Sequence, residues 1–355
     1  MTSDLSTPFW KPPAESYQGR LPDKADVLVV GGGITGVSLM HHLGRRGMRA
    51  VLVERDHLAA GASGRNAGFL LAGVAENYAA AVRIYGRTDA REIWALTNEN
   101  HDRQIEAVGR AHVGHRRLGS LILAAGEEEA QALEESCELL REDGFEATWD
   151  GRGLVNPRDG EVDPALLVRA LAGTRQNGTI VDGTNVSAID GTTVHAGGQS
   201  CEAGVVILAT NAYTPALLPQ IKIQPTRAQM LATAPVSARV SELPTYSHHG
   251  YRYWRQLPSG ELLIGGWRDT SMETEVTAVA EPTLAIQAHL DAAVRGLGVE
   301  AEITHRWAGT MGFTESGLPI VGPVEGMRNV YVCAGFNGHG MGFAFMSAKQ
   351  LVDSL

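Results

Sequence analysis

Two glycine loops, one near each end of the chain, constrain the fold more than any other feature. The first follows an apolar run: Ala25-Asp26-Val27-Leu28-Val29-Val30 leads into Gly31-Gly32-Gly33-Ile34-Thr35-Gly36. An apolar helical stretch comes next, then a second strand, Ala50 to Val53, which ends in Glu54. The second loop, Gly335-Phe336-Asn337-Gly338-His339-Gly340-Met341-Gly342, also lies between a strand and a helix. One such loop marks a phosphate. Two, far apart in sequence, point to one long dinucleotide held at both ends.

Gly31, Gly33 and Gly36 fit the G-x-G-x-x-G spacing. The first permits the tight turn, the second lets a pyrophosphate approach the backbone, and the third lets helix and strand pack closely. The helix start then presents N–H groups and partial positive charge to the phosphate. Glu54, about 20 residues on, is placed to hold ribose hydroxyls, and an acid there disfavours a 2′-phosphate.

The chain has 355 residues, 44% of them hydrophobic and 20% charged, which is a globular composition with ample core. A net charge of −10 gives nucleic-acid binding no electrostatic support. No apolar run reaches the roughly 18 residues that span a bilayer. Residues 1–24, with Pro8, Pro12, Pro13 and Pro22, read as an irregular arm and not as a signal peptide. Cys137, Cys201 and Cys333 are scattered, which points to a reducing cytoplasm, and Cys137 shares a helical stripe with Leu133 and Leu140.

Periodicity predicts helices from Asn77 to about Ala111, from Glu127 to Asp143, from Asp163 (an N-cap before Pro164) to Ala172, and from Pro282 to Leu297. Arg116–Ala125 reads as a strand, and Ile180–Val186 with Thr192–His195 as a small sheet. Val205–Thr210 and Val330–Ala334 are continuous apolar runs that suit a buried parallel sheet. Ligands lie at the C-terminal ends of such strands, which brings Ala209, Thr210 and Asn211 to the cofactor. Arg227–Pro235, Tyr251–Leu257 and Glu261–Trp267 alternate as antiparallel strands, the last two joined by a Pro258-Ser259-Gly260 turn. The fold class is α/β: a Rossmann-like domain with a parallel sheet (residues 25–76, 155–220 and 305–355) interrupted by a mixed-sheet α+β substrate domain (77–154 and 221–304).

These loops, Glu54-Arg55, Gly61-Ala62-Ser63-Gly64-Arg65-Asn66-Ala67-Gly68, Val205–Asn211 and Gly317-Leu318-Pro319-Ile320-Val321-Gly322 together resemble, in order, the FAD-dependent D-amino-acid oxidase superfamily, which includes glycine and sarcosine oxidases. Ala62–Gly68 is most similar to the γ-glutamylputrescine oxidase-like branch. The resemblance implies FAD. Gly31, Gly33, Ile34, Thr35 and Gly36 would meet the pyrophosphate, and Glu54 and Arg55 would lie at the adenosine ribose. Ala62, Ser63, Arg65, Asn66, Ala67 and Gly68 would wrap pyrophosphate and flavin, and the Val186 backbone would meet adenine. Gly335, Asn337, Gly338, His339, Gly340 and Met341 would run along the isoalloxazine edge, where the following helix aims its positive end at charge on the reduced flavin. Relatives that attach FAD covalently use a cysteine in the stretch Trp307-Ala308-Gly309-Thr310-Met311, or a histidine where this chain has Arg65. Neither is present, so FAD is expected to be non-covalent.

The implied reaction is oxidation of an amine or amino acid at its C–N bond, with the imine hydrolysed and oxygen or another acceptor taking the electrons. A 2-hydroxy-acid dehydrogenase and a non-catalytic flavoprotein scaffold are the alternatives. Met311 stands where several relatives carry a carboxylate-binding arginine, which favours an amine, an N-substituted glycine or a longer substrate. Tyr251, Tyr253 and Arg255 share one strand face; they form either a substrate wall or aromatic packing against Trp267. His339 is the candidate proton group. Arg65 has two roles open to it, at flavin N5 or at the pyrophosphate. No metal is expected: His41-His42 and His248-His249 lack ligand spacing and read as surface pairs.

Overall fold

The computed structural model describes residues 7–11, 16–17, 19–109 and 113–355. Two eight-stranded sheets make its frame. In the first, Lys24–Val30 is central and parallel to both Gln199–Leu208 and Ala50–Val53. Gly178–Val181 and Val330–Ala334 extend it on either side, also parallel, and Ile320–Pro323 closes one edge antiparallel. Val27, Val29, Leu52 and Ile207 face helices Ile34–Arg45, Pro164–Gly173 and Gly340–Asp353. Leu28, Val30, Val53, Val206 and Leu208 face the opposite layer, where Leu218, Ile223 and the antiparallel pair Val186–Asp190 and Thr193–Ala196 pack. Cover on both faces is why these strands read as unbroken apolar runs.

The second sheet has the order Ile303–Phe313, Gln224–Thr233, Leu262–Gly266, Arg252–Gln256, Thr245–Ser247, Ser120–Leu123, Gly153–Asn156, Thr148–Trp149. It is antiparallel except where Thr245–Ser247 meets Ser120–Leu123. It stands over the C-terminal ends of the parallel strands and roofs the space in front of both glycine loops. Ile303–Phe313 is its longest strand, and sequence periodicity does not find it: Gly309 and Gly312 interrupt the alternation, and half-buried polar residues stand at its start.

Four expectations change in detail. The long helix after Asn77 is two, Tyr78–Tyr85 and Arg87–Val108, because Gly86 turns the chain with φ of 86°; Ala111 lies outside the described residues. The strand expected from Arg116 is only Ser120–Leu123. Ile180 and Val181 end a strand of the parallel sheet, and Val186 begins a different one. His41 and His42 are not surface residues. Their helix is packed by Pro164–Gly173 on one side and Gly340–Asp353 on the other, so Nε2 of His42 donates to the Phe345 carbonyl at 3.0 Å. Burial pushes His42 down to about 4, and it is neutral near pH 7.

Asp163 caps its helix as expected, accepting the Leu166 N–H at 2.9 Å ahead of Pro164. Cys137 is buried beside Leu133 and Leu140. No helix among the described residues is long and apolar enough to cross a membrane.

Candidate active site

The first glycine loop is held by contacts that tolerate no side chain. A Cβ on Gly36 would lie 1.9 Å from the Gly31 carbonyl oxygen, and one on Gly31 would lie 2.8 Å from the Ala209 oxygen. Gly36 therefore serves helix–strand packing, and it does not line the cavity in front of the loop. Glu54 fixes the turn: Oε2 accepts the Gly32 N–H at 2.6 Å and Oε1 the Asp56 N–H at 2.9 Å. Ser63 Oγ accepts the Ile34 N–H at 2.9 Å and ties the second loop to the helix start. Asn66 closes that second loop on itself, donating to the Ala62 and Ser63 carbonyls and accepting the Gly68 N–H.

At the far end, Asn211 Oδ1 accepts the Gly335 N–H at 2.9 Å and joins the ends of two parallel strands. Gly335 and Asn337 adopt φ of 81° and 51°. The Asn337 side chain bonds the Thr314 N–H and the Gly335 carbonyl, so it shapes the loop. The Gly340–Asp353 helix starts there, its first residues facing a cavity of about 780 Å³ that runs continuously from Glu54 and Val186 to Tyr253.

A row of residues paired across strands runs along this sheet, Leu154, Ile122, Tyr246, Tyr253, Gly265, Met230 and Trp307, and the first four of them roof the cavity. Paired residues share a face, which places the two tyrosines side by side above the cavity. Their rings meet at 5.8 Å between centroids, and Phe69 packs edge-on against Tyr246 at 5.3 Å. Gly265 supplies the room, because a Cβ there would lie 2.2 Å from the Tyr253 ring. Burial pushes the Tyr253 phenol up to about 12 and raises that of Tyr246 as well, so both are neutral. Trp307 Nε1 donates to the Arg65 carbonyl at 2.9 Å and locks the roof to the second loop.

Of the residues expected to bind cofactor, Gly31, Gly33, Ile34, Thr35, Glu54, Arg55, Ala62, Ser63, Arg65, Asn66, Ala67, Val186, Ala209, Thr210, Asn211, Asn337, Gly338, His339, Gly340 and Met341 line this one cavity. Gly36, Gly68 and Gly335 lie behind it and hold its wall. Arg65 reaches the cavity, but Nε and one amino group donate to the Ala60 and Ala308 carbonyls. Tyr251, Tyr253 and His339 line it too. Nδ1 of His339 donates to the Asn337 carbonyl at 3.2 Å, so Nε2 of the neutral ring keeps its lone pair; desolvation lowers its pKa.

Arg255 is a correction. It shares a strand face with Tyr251 and Tyr253, yet it does not reach the cavity. Its guanidinium is buried, donates to the Gly68 and Val162 carbonyls at 3.0 Å each, pairs with Glu161 at 3.4 Å and stacks on Trp10 at 5.2 Å. The expected packing of the tyrosines on Trp267 is also replaced: Arg252 stacks on Trp267 at 4.6 Å.

Sequence reading missed Arg268. Trp267, in a left-handed conformation with φ of 65°, turns the chain at the end of Leu262–Gly266 and sends Arg268 into the cavity. The guanidinium stacks 4.3 Å from the Tyr251 ring and 5.0 Å from Phe313. No ion pair neutralises it among the described residues. The segment beyond is anchored by buried Glu275, which accepts from Arg227 at 2.8 Å and from Gln229 at 3.0 Å. The pair of glycines before Trp267 is the only sequence cue to this turn.

Asp159 was also missed. It is almost fully buried and lines the cavity below Tyr246, accepting from Ser120 Oγ at 2.6 Å and from the Ala72 N–H at 2.9 Å. Burial outweighs those bonds and the charge of Arg117, pushing the carboxyl up to about 7. Among the described residues no group of three or more His, Cys, Asp and Glu is placed to hold a metal ion.

A cavity cradled by glycine backbone, with a helix start behind the glycine loop at each end, fits an extended dinucleotide, and the fold defines a dinucleotide-dependent enzyme class. The family model described as DAO, FAD dependent oxidoreductase, matches residues 26–354, and the chain belongs to that family. Mitochondrial dimethylglycine dehydrogenase of Rattus norvegicus is 28% identical across 99% of this chain and 44% of its own length. The chain thus spans less than half of that relative. Gamma-glutamylputrescine oxidoreductase of Escherichia coli (strain K12) is 25% identical, covering 93% of this chain and 83% of its own. Among solved structures, glycine oxidase from Geobacillus kaustophilus has the same fold, with a TM-score of 0.78 over 94% of this chain and 95% of that one at 20% identity. The cofactor is FAD, and the glycine loops described above are consistent with it.

Two outcomes are expected. Gly265→Val forces the Tyr253 ring off the roof and destabilises the fold by about 1–3 kcal/mol, the usual range for overpacking; denaturant unfolding and a crystal structure of the variant check it. For Asp159, the folded chain keeps a proton that the unfolded chain gives up near its ordinary value of 3.8, so stability falls as pH rises from there to about 7. Asp159→Asn removes that part of the slope in urea unfolding measured across this window.

Proposed function

We propose that this protein oxidises the C–N bond of an amino acid or N-substituted amino acid whose carboxylate is held by Arg268. The observation that carries the reading is a cavity guanidinium with no acidic partner among the described residues, between Tyr251 and Phe313 and next to the His339 loop. It supplies, from the turn after Leu262–Gly266, the cation that Met311 does not. A guanidinium binds a carboxylate with two parallel charge-assisted bonds.

FAD, when bound, supplies the acceptor for the hydride that leaves the carbon bearing nitrogen. The chain's own residues do the rest. Arg268 fixes one end of the substrate and thereby the approach of its α-carbon. Tyr246, Tyr253 and Phe69 form an apolar roof that excludes water. His339, held neutral by burial, takes a proton from the substrate ammonium so that the nitrogen lone pair is available. The oxidised product is an imine, which water hydrolyses. We further assign residues 25–76, 155–220 and 305–355 to the FAD-binding part and residues 77–154 and 221–304 to the substrate part. The relatives' names support C–N chemistry: dimethylglycine dehydrogenase and gamma-glutamylputrescine oxidoreductase both act on amines. Buried unpaired Cys137, Cys201 and Cys333 fit a reducing cytoplasm.

Anaerobic bleaching of the flavin-loaded protein tests the reading with N-methylated glycines, D- and L-amino acids, polyamines, γ-glutamylated amines and 2-hydroxy acids. Bleaching by amino acids supports it, and bleaching by hydroxy acids alone overturns it. Readmitted air then separates an oxidase, which reoxidises fast and yields peroxide, from a dehydrogenase. Arg268→Met raises KM for the carboxylate-bearing substrate roughly 10- to 100-fold, the equivalent of about 1.5–3 kcal/mol for a charged hydrogen-bonded contact, and leaves the decarboxylated amine unaffected. Acid precipitation releases all the flavin into the supernatant, since Trp307–Met311 and Arg65 offer no thiol or imidazole for a covalent bond.

A further inference from the structure

The cavity extends past the residues assigned to FAD. It continues beneath the roof into a chamber bounded by Ile122, Leu133, Leu140 and Leu154, which come from the second sheet and the Glu127–Glu142 helix. Two carboxylates face this chamber. Glu129 is compensated: it accepts the Ala125 and His249 N–H groups at 2.8 and 2.7 Å and has the His249 ring at 3.9 Å. Asp159 is not. Its two bonds come from one hydroxyl and one amide, and among the described residues no cation lies within ion-pair distance. A carboxylate has about four acceptor sites, so two bonds leave capacity for a further donor.

We propose that this chamber is a side-chain pocket in which Asp159 binds a distal ammonium group of the substrate. This deepens the amino-acid reading above and rests on it. The apolar walls accept a run of methylenes, and an ammonium beside Tyr246 meets both an aromatic face and the uncompensated acid. A neutral terminus of equal size leaves the buried carboxylate with only the more distant charge of Arg117. The preferred substrates are therefore amino acids or N-alkylated amino acids that carry a second, terminal amine at the end of an aliphatic chain.

The test uses the FAD-loaded full chain under anaerobic conditions. Calorimetry measures the Kd of ω-aminoalkanoates, in a series of increasing chain length, against alkanoates in which a methyl replaces the ammonium. At one chain length near pH 8 the amino compound is expected to bind at least about tenfold tighter, as a charge-assisted contact should. Asp159→Asn, which keeps one oxygen for the Ala72 N–H and turns its amide to the Ser120 hydroxyl, which can accept instead of donate, is expected to erase that preference without changing alkanoate binding. Equal or weaker binding of every amino compound by the wild-type protein overturns the inference, as does a preference that survives in a folded Asp159→Asn protein. If alkanoates bind, and lose binding in Arg268→Met, but no ammonium preference exists, the amino-acid reading stands and only the inference falls. If neither series binds, both fall.

Discussion

One buried ion pair fixes how the roof sheet sits on the end of the second loop. Arg255 rises from the roof sheet, and its partners belong to the other side: the carbonyls of Gly68 and Val162 and the carboxylate of Glu161. Glu161 is itself nearly inaccessible and is bonded by Arg116 as well. Such a cluster is worth little as net stability, because taking the charges out of water offsets much of their attraction. It is decisive as a spacer. Removing Glu161 leaves a buried guanidinium with carbonyls alone, and removing Arg255 leaves Glu161 with Arg116 only, so the roof sheet meets the paired strands Phe69–Leu70 and Gly160–Glu161 where the guanidinium finds its carbonyls. Burial pushes Arg255 down to about 10, and it remains charged near pH 7. Trp10, which stacks on it and donates to the Asn66 carbonyl at 2.7 Å, extends the same joint to the second loop.

Given that spacing, missing side chains carve the cavity as much as present ones line it. Gly265 leaves the hollow into which the Tyr253 ring leans, and Gly309 lets the Arg65 backbone approach the roof, with a Cβ there 3.0 Å from that of Arg65. Gly309 pairs across strands with Ala228, another small residue on the cavity face. Tyrosine next to glycine on adjacent strands is thus a shape device. The pair gives a flat aromatic roof without widening the sheet.

What the sequence disclosed follows a physical division. The glycine loops, Glu54, Ser63 and Asn211 were legible because their work is local: a turn, a helix start or a strand end dictates the residue within a few positions. The parallel strands were legible because cover on both faces leaves an unbroken apolar run. Alternation correctly put Tyr251, Tyr253 and Arg255 on one face, but it says nothing of what that face meets. The sheet runs past the edge of the cavity, so its third residue faces the joint and not the substrate. His41 and His42 misled for a similar reason, since adjacent histidines on a helix look exposed unless both flanking helices are known. Arg268 depends on a left-handed Trp267, a stack with Phe313 from another strand and an anchor at Glu275, none of them close in sequence to the loops that announce the cofactor. Asp159 sits in a bend between short strands, where no periodicity exists to read.

The charges facing the cavity form an order that its burial imposes. His339, Tyr246 and Tyr253 are neutral because desolvation disfavours their charged forms. Arg268 stacks on two rings in a half-exposed position at the cavity wall, where water still reaches it. Asp159 has no such access, and its burial raises the carboxyl against its two bonds and the charge of Arg117. A ligand that brings a carboxylate to Arg268 and a cation to Asp159 would neutralise both walls at once, whereas water can solvate only the first. The cavity therefore presents a cation and an acid at separate places for different reasons, with aromatic and aliphatic side chains as well as His339 and Asn77 along the same wall. On the reading proposed above, that pattern would select for length and for the separation of charges in a substrate, independently of the flavin chemistry.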